Sequence, residues 1–271
     1  MGGSIGTWNF DYLEFAVRWE GLTGEGLPNP LIITTDIESH DAYMTARRRV
    51  AAEINTQDDP ELDAVLLALT RPEIVVEIFG ITAPDTGDER AIRVYAASAG
   101  GRCFTVRQRP GKSIFHAAGF TVSEHNPAAW AADIVGFLPA LGPGRQAMVP
   151  LPDPDGPQDI TEGIDYGYGR SEFRDSFDDS ATENHSGYLD KPITGAGSID
   201  VIQGRSIFGP AGRGRRAVGW RDLADDGRYT IVYRAPCAAR AADTASFTAL
   251  LTDEIEEIQL LVDDERRSVH G

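Results

Sequence analysis

The side chains that could do chemistry are few and poorly spaced for it. The sequence holds five histidines and two cysteines. His40 stands next to Asp41 and could mimic a base with its orienter, but adjacent residues on a helix do not face one another. His116 falls in a β-like run and His125 at a strand-to-helix turn. A metal site built on them needs a third ligand, and only Glu124 is near. His185 and His270 stand alone. There is no Gly-x-Ser-x-Gly elbow for a serine hydrolase. Cys103 and Cys237 can form neither a disulfide scaffold nor a four-ligand zinc site, and on or just after strands they read as small buried hydrophobes. Gly209-Pro210-Ala211-Gly212-Arg213-Gly214-Arg215-Arg216 suggests a phosphate loop, yet it lacks the Gly-Lys-Ser/Thr ending and no helix follows. Between two β-like runs it reads as a hairpin. Its three arginines make a basic spot that could meet an acidic partner or an acidic loop of the same chain. The acidic clusters Asp178-Asp179, Asp225-Asp226 and Asp263-Asp264-Glu265 lack EF-hand spacing and read as solvated charge. The expectation is a protein with no catalytic residues, no metal and no nucleotide or redox cofactor.

The charge balance narrows the partners. The 271 residues carry 25 basic and 42 acidic side chains, a net charge of −17 shared by both halves. Nucleic-acid phosphates and anionic membrane surfaces are repelled by such a chain. A hydrophobic content of 41% supports a sizeable core. No apolar run reaches the length of a membrane span, and the segment 1–7 lacks the basic start and apolar stretch of a signal peptide. These features lead to the expectation of a soluble, cytoplasmic protein.

The elements that must position these residues follow from periodicity. Tyr12, Phe15, Ala16 and Trp19 line one helical face, with Asn9 or Asp11 as a cap and Gly21 as a stop. Residues 31–35 form a short β-like run. A second helix spans 41–54, with Tyr43, Ala46, Val50 and Ile54 on one side. A third carries Leu62, Val65, Leu66 and Leu69 behind Pro60. The period then changes to two over 73–83, 90–98, 102–109 and 113–123, and the short connections require antiparallel neighbours. A helix at 127–138 follows, with Trp130, Ile134 and Phe137 inward. Residues 142–191 are acidic and rich in proline and glycine, and read as a linker with one weak helix at 171–177. Within it, the scarcity of large apolar residues makes the stretch from Pro150 to Asp190 the expected most mobile part of the chain and site of protease nicking. Further β-like runs cover 198–208, 215–223 and 228–235. A helix at 246–262 precedes a charged tail at 263–271.

The two β regions resemble each other. Residues 101–110 lie over 227–236 without a gap, pairing Val106 with Val232 and Pro110 with Pro236. The same offset pairs Val75 with Val201, Pro84 with Pro210, Arg90 with Arg216, Ala91 with Ala217 and Ile92 with Val218. The expected fold is α+β: two similar halves of antiparallel sheet with flanking helices, related by a pseudo-two-fold. Residues 1–141 form the first half, 142–191 the linker and 192–271 the second half, within one integrated domain. Joining the two sheets through edge strands also removes exposed edges.

With that arrangement the chain resembles the EspG family, the cytosolic chaperones of type VII (ESX) secretion. The resemblance rests on the opening from Trp8 to Phe15 with the Leu-Pro-x-Pro-Leu segment at 27–31, and on a strand-rich centre that ends in an alanine-rich helix. It rests also on the second copy from Gly197 to Ala235 before the last helix. It implies a non-enzymatic chaperone that caps the apolar helical tip of a PE–PPE heterodimer, one chaperone per pair, and keeps it soluble before export. An apolar tip exposed in the cytosol is an aggregation hazard, and an apolar patch with a polar rim covers it. The turn at 97–102 is shorter than the loop some relatives have there, and the segment near 171–190 is unusually acidic, so the client is a PE–PPE pair or a related helical substrate. The expected binding surface comes from the sheet and the last helix. Its rim candidates are Ser98, Gly100 and Arg102 at one turn and Arg213, Arg215 and Arg216 at the glycine-rich hairpin. Two other readings stand beside it: a small-molecule-binding or enzymatic domain that uses a crevice between the halves, and an interaction scaffold unrelated to secretion. Converging polar groups in a pocket favour the enzyme; a broad, shallow, partly apolar surface favours the chaperone.

Overall fold

The computed structural model describes residues 5–82, 90–151, 188 and 191–270. The opening Ile5 is followed by strand β1 (Gly6–Phe10) and helix α1 (Tyr12–Thr23). The Asp11 carboxylate accepts from the Leu13 N–H at 2.8 Å, satisfying a donor the helix leaves free. Gly21 does not stop this helix. Gly24 does, at φ 73°, a left-handed conformation that costs glycine little and returns its N–H to Glu20 O. Ser39 caps α2 (His40–Ile54), and Asp59 caps α3 (Pro60–Leu69), where Pro60 fills a position needing no N–H. Leu62, Val65, Leu66 and Leu69 are buried as their spacing predicts. Residues 31–35 are not a strand: Ile32 N–H donates to the Gln108 side chain and Thr34 Oγ1 to Phe115 O, so the backbone there has no ladder partner.

Among the described residues all nine strand pairings are antiparallel and make one ten-stranded sheet, ordered β1-β5-β4-β3-β2-β7-β8-β9-β10-β6. The first half supplies β2 (Ile74–Thr82), β3 (Arg90–Ala99), β4 (Arg102–Pro110) and β5 (Ala117–His125), the last starting four residues later than its pattern suggested. Residues 113–116 turn instead, with His116 N–H bonded to Ser113 O, so His116 is not on a strand. The second half supplies β6 (Met148–Pro150), β7 (Ile193–Gln203), β8 (Arg215–Leu223), β9 (Gly227–Val232) and β10 (Ala238–Ala241). β6 pairs with β10, so part of the expected linker belongs to the sheet; the weak helix at 171–177 lies outside the described residues. The runs at 198–208 and 228–235 are displaced: β7 begins earlier and both β7 and β9 end earlier, with β10 following. Helices α4 (Trp130–Val135) and α5 (Thr244–His270) follow β5 and β10, and α5 absorbs residues 263–270 of the expected tail.

Strand order is a palindrome about the β2–β7 pair. β1 to β5 with α4, and β6 to β10 with α5, repeat one path, as a pseudo-two-fold requires. The residue equivalences from the gapless offset do not hold. Val106 pairs with Tyr95 in the cluster beneath α1 and α3, whereas Val232 pairs with Val218, which belongs to the cluster beneath α4 and α5. Directly paired residues share a face, so the two valines point to opposite sides. Val75 and Val201 divide between the two clusters in the same way. A one-residue slip in a strand reverses every side chain, and sequence similarity of short β runs is blind to it. Pro236 follows β9 rather than lying in it, and Pro84 is outside the described residues.

Each face has its own core. On the first, Phe10, Phe15, Phe104 and Phe120 pack with Val65, Leu66 and Leu69 from α3. Phe15 and Phe120 are fully buried with ring centroids 4.8 Å apart, and burying each ring contributes roughly 2–3 kcal/mol. On the second face, Trp130 and Ile134 of α4 and Phe247, Leu251 and Ile258 of α5 cover Val76, Ile78, Val201 and Trp220. A third cluster on the first face holds Tyr229, Ile231 and Ala239 under Tyr188.

Candidate partner-binding surface

The six residues singled out from sequence meet at one end of the sheet, with unequal exposure. Ile74 pairs with both Ser98 and Gln203, so the β3–β4 turn and the β7–β8 connection leave the sheet side by side. Glu73 ties them: its N–H donates to Ser98 O at 2.7 Å, its carbonyl accepts from Gly204 N–H at 2.8 Å, and its carboxylate pairs with Arg266 of α5. Ser98 itself is buried beside Cys103 and offers no surface, contrary to its expected place on an exposed turn. Gly100 is exposed. Arg102 is half-buried, bidentate to Glu124 at 2.7 and 2.8 Å, and its guanidinium holds the Glu124 carboxyl below the ordinary range.

The hairpin arginines divide in the same way. Arg215 pairs with Asp200 at 2.9 Å, and Arg216 pairs with Glu257 of α5 at 2.7 Å. Arg216 and Arg234 also face Glu254, whose carboxyl is raised by burial and whose side chain is 1% exposed. These two arginines therefore meet acidic neighbours of their own chain. Arg213 is exposed and makes no ion pair among the described residues.

Sequence reasoning missed the face of the sheet between the two first-face clusters. There, Phe79 on β2 pairs with Ser198 on β7, which pairs with Gly219 on β8. The Tyr233 ring folds over Gly219, where a Cβ would meet its hydroxyl at 2.3 Å. Phe79 is 37% and Tyr233 50% exposed. Arg93 stacks 4.5 Å from the Phe79 ring centroid and donates to Pro30 O at 2.9 Å, forming one wall. Arg221, over the ring of Tyr188, stands on the other side. At the end nearer Arg213 lie Glu77 and Asp200, directly paired across β2 and β7. Burial raises the Glu77 carboxyl, the Asp200 charge adds to this, and Arg215 opposes it. Three neighbouring strands span about 10 Å, roughly the diameter of one helix with its side chains. An alternating pattern shows that Phe79 faces away from Ile78, but not that no described helix covers it.

Among the described residues, one arrangement with catalytic spacing is closed to a substrate. His125 Nδ1 lies 2.8 Å from Asp133 Oδ2 of α4, and Nε2 lies 2.8 Å from Thr105 Oγ1. This is the order of nucleophile, base and orienter, yet Thr105 is 1% exposed within β4. The network ties α4 to the sheet. A recess of about 510 Å³ lined by Arg90, Gln108, Lys112, Ser113 and His116 lies at the opposite end of β3 and β4, and Lys112 there is paired with Asp36. The two halves share one continuous sheet through β2–β7 pairing from Ile74↔Gln203 to Thr82↔Gly195. Among the described residues no group of three His, Cys, Asp or Glu could hold a metal, and no helix is long and apolar enough to cross a membrane.

A family model for the EspG family (ESX-1 EspG) matches residues 11–253. The chain belongs to the EspG family. Among solved structures, this EspG chain is similar to the Mycobacterium tuberculosis type VII secretion system chaperone EspG5, solved in complex with the PE25–PPE41 dimer. The TM-score is 0.53 at 12% identity, over 93% of this chain and 96% of that one. At such identity the likeness is one of fold. No curated protein matches this EspG chain.

Proposed function

We propose that this EspG chain is a non-enzymatic chaperone that binds a helical type VII secretion substrate, a PE–PPE-like pair, and keeps it soluble before export from the cytosol. The observation that carries the reading is the one-helix-wide surface across β2, β7 and β8, with half-exposed Phe79 and Tyr233 between two covered regions. Apolar centres with polar borders are the usual form of a protein-docking surface. Arg213 and Arg215 and the turn at Gly100 and Arg102 border its open end, and Arg216 braces α5 behind it. The fold shared with a chaperone solved on its client pair supports the same reading.

Family membership and a buried Thr105–His125–Asp133 network support a binding role over a catalytic one. Amide hydrogen exchange of the chain with and without a co-purified PE–PPE-like pair tests the placement. Protection is expected along β2 and β7 around Phe79 and Ser198. Protection confined to the recess at Arg90 and His116 would overturn it.

A further inference from the structure

We propose that the loop at 204–214, braced on α5, is a second docking surface that takes an amphipathic helix of a partner protein whose apolar stripe is flanked by carboxylates. It goes beyond the client reading, because its apolar centre borders α5 rather than the face that carries Phe79.

The loop is built to present its side chains. Gln203 and Gly214 close its base, backbone to backbone at 2.9 Å and side chain to backbone at 3.1 Å. Glu265 of α5 accepts from Ser206 Oγ at 2.8 Å and from Ile207 N–H at 2.9 Å. Phe208 N–H returns to Ser206 Oγ, and the turn Pro210–Gly212 follows. Gly214 lies so close to α5 that a Cβ there would meet Leu261 Cδ1 at 2.4 Å. This bracing holds Ile207 at 55% and Phe208 at 73% exposure next to Leu261 at 37%. Ordering a loop that displays two large apolar side chains to water is unfavourable without an occupant. Rigid apolar anchors also lose little entropy when they bind.

The charge pattern selects the occupant. Several acidic groups beside the loop are already used: Glu265 by the loop itself, Glu73 by Arg266, Glu257 by Arg216, Asp264 by Arg267. Arg71, Arg205 and Arg213 are exposed and make no ion pair among the described residues. They lie close together in the chain path, since Gly204 packs against the Pro72 carbonyl. At physiological salt the screening length is about 8 Å, so these cations act locally in spite of the net −17. A helix with an apolar stripe and flanking glutamates satisfies both features, with the stripe on Ile207, Phe208 and Leu261.

The test uses the full chain and two synthetic capped peptides of about 18 residues. Both carry leucine at i, i+3, i+4 and i+7; one has flanking glutamates, the other lysines. Fluorescence anisotropy should show the glutamate peptide binding at least about tenfold more tightly, a difference of about 1.4 kcal/mol, that shrinks at high salt. NMR shifts should map to residues 205–213 and Leu261. The I207S/F208S variant should lose binding while melting as the wild type does, since both side chains are exposed. Equal affinity for the two peptides, no binding, or shifts at Phe79 and Tyr233 would overturn the proposal. So would light scattering that shows a dimer of this chain which I207S/F208S converts to a monomer. Client binding that survives I207S/F208S keeps this surface distinct from the client surface. Peptide binding that persists in I207S/F208S would overturn the proposal, whereas a wild-type chain that binds the glutamate peptide but no client would count against the client reading alone.

Discussion

The Trp220 indole lies over Gly80 so closely that a Cβ at Gly80 would meet its ring at 2.4 Å. Gly80 pairs with Gly197, whose Cβ would meet the same ring at 2.3 Å, and the tryptophan thereby covers both strands that join the halves. Glycine within a strand is otherwise unfavourable, and here it makes room for a fully buried tryptophan.

Replacing Gly80 with alanine should therefore destabilise the fold by about 3 kcal/mol through overpacking. Thermal melting checks this, and Trp220→Phe in the same chain should recover part of the loss. An unchanged melting temperature in Gly80→Ala would mean that the indole does not rest there.

Glu77 gives a pH signature. Burial raises its carboxyl above 4.5, so the folded state binds its proton more readily than the unfolded chain does. Its ionisation opposes folding fully at neutral pH, and the penalty fades as pH falls through the raised value towards the ordinary one. Glu77→Gln should raise the melting temperature at pH 7.5, and the gain should vanish near about pH 4. A gain independent of pH would point to packing rather than charge.

Both cysteines are buried and unpaired with each other, and burial pushes the Cys103 thiol up to about 11. Thiolate is the reactive form, so iodoacetamide at pH 8 should leave Cys103 unmodified until denaturant is added. Peptide mass mapping before and after unfolding reads this directly.

Local chemistry in the sequence was legible wherever one residue decides an outcome. Asp11, one of two cap candidates, and Pro60 sit at helix starts for stereochemical reasons, and the apolar spacing of α3 matches its buried face. The antiparallel sheet followed from short connections. What failed depends on partners distant in sequence. Register decides whether Val106 and Val232 share a face, and no local pattern carries register. Residues 31–35 have a strand's composition but bond to Gln108, far along the chain. The arginines at 215 and 216 were legible as a basic spot, yet their pairing with Asp200 and Glu257 depends on how β7 and α5 pack beside β8. Ile207 and Phe208 were hidden because their run reads as the end of a strand rather than a displayed loop.

The central claim is that this chain masks an apolar helical client. Its most direct test is co-expression with a PE–PPE-like pair from the same genome, followed by gel filtration with light scattering. The account predicts a soluble complex with one copy of each chain, where the pair alone aggregates, and loss of that complex on Phe79→Asp with Tyr233→Asp. Pairs that stay equally soluble alone, with no complex surviving the column for any helical type VII substrate of that genome, would contradict it.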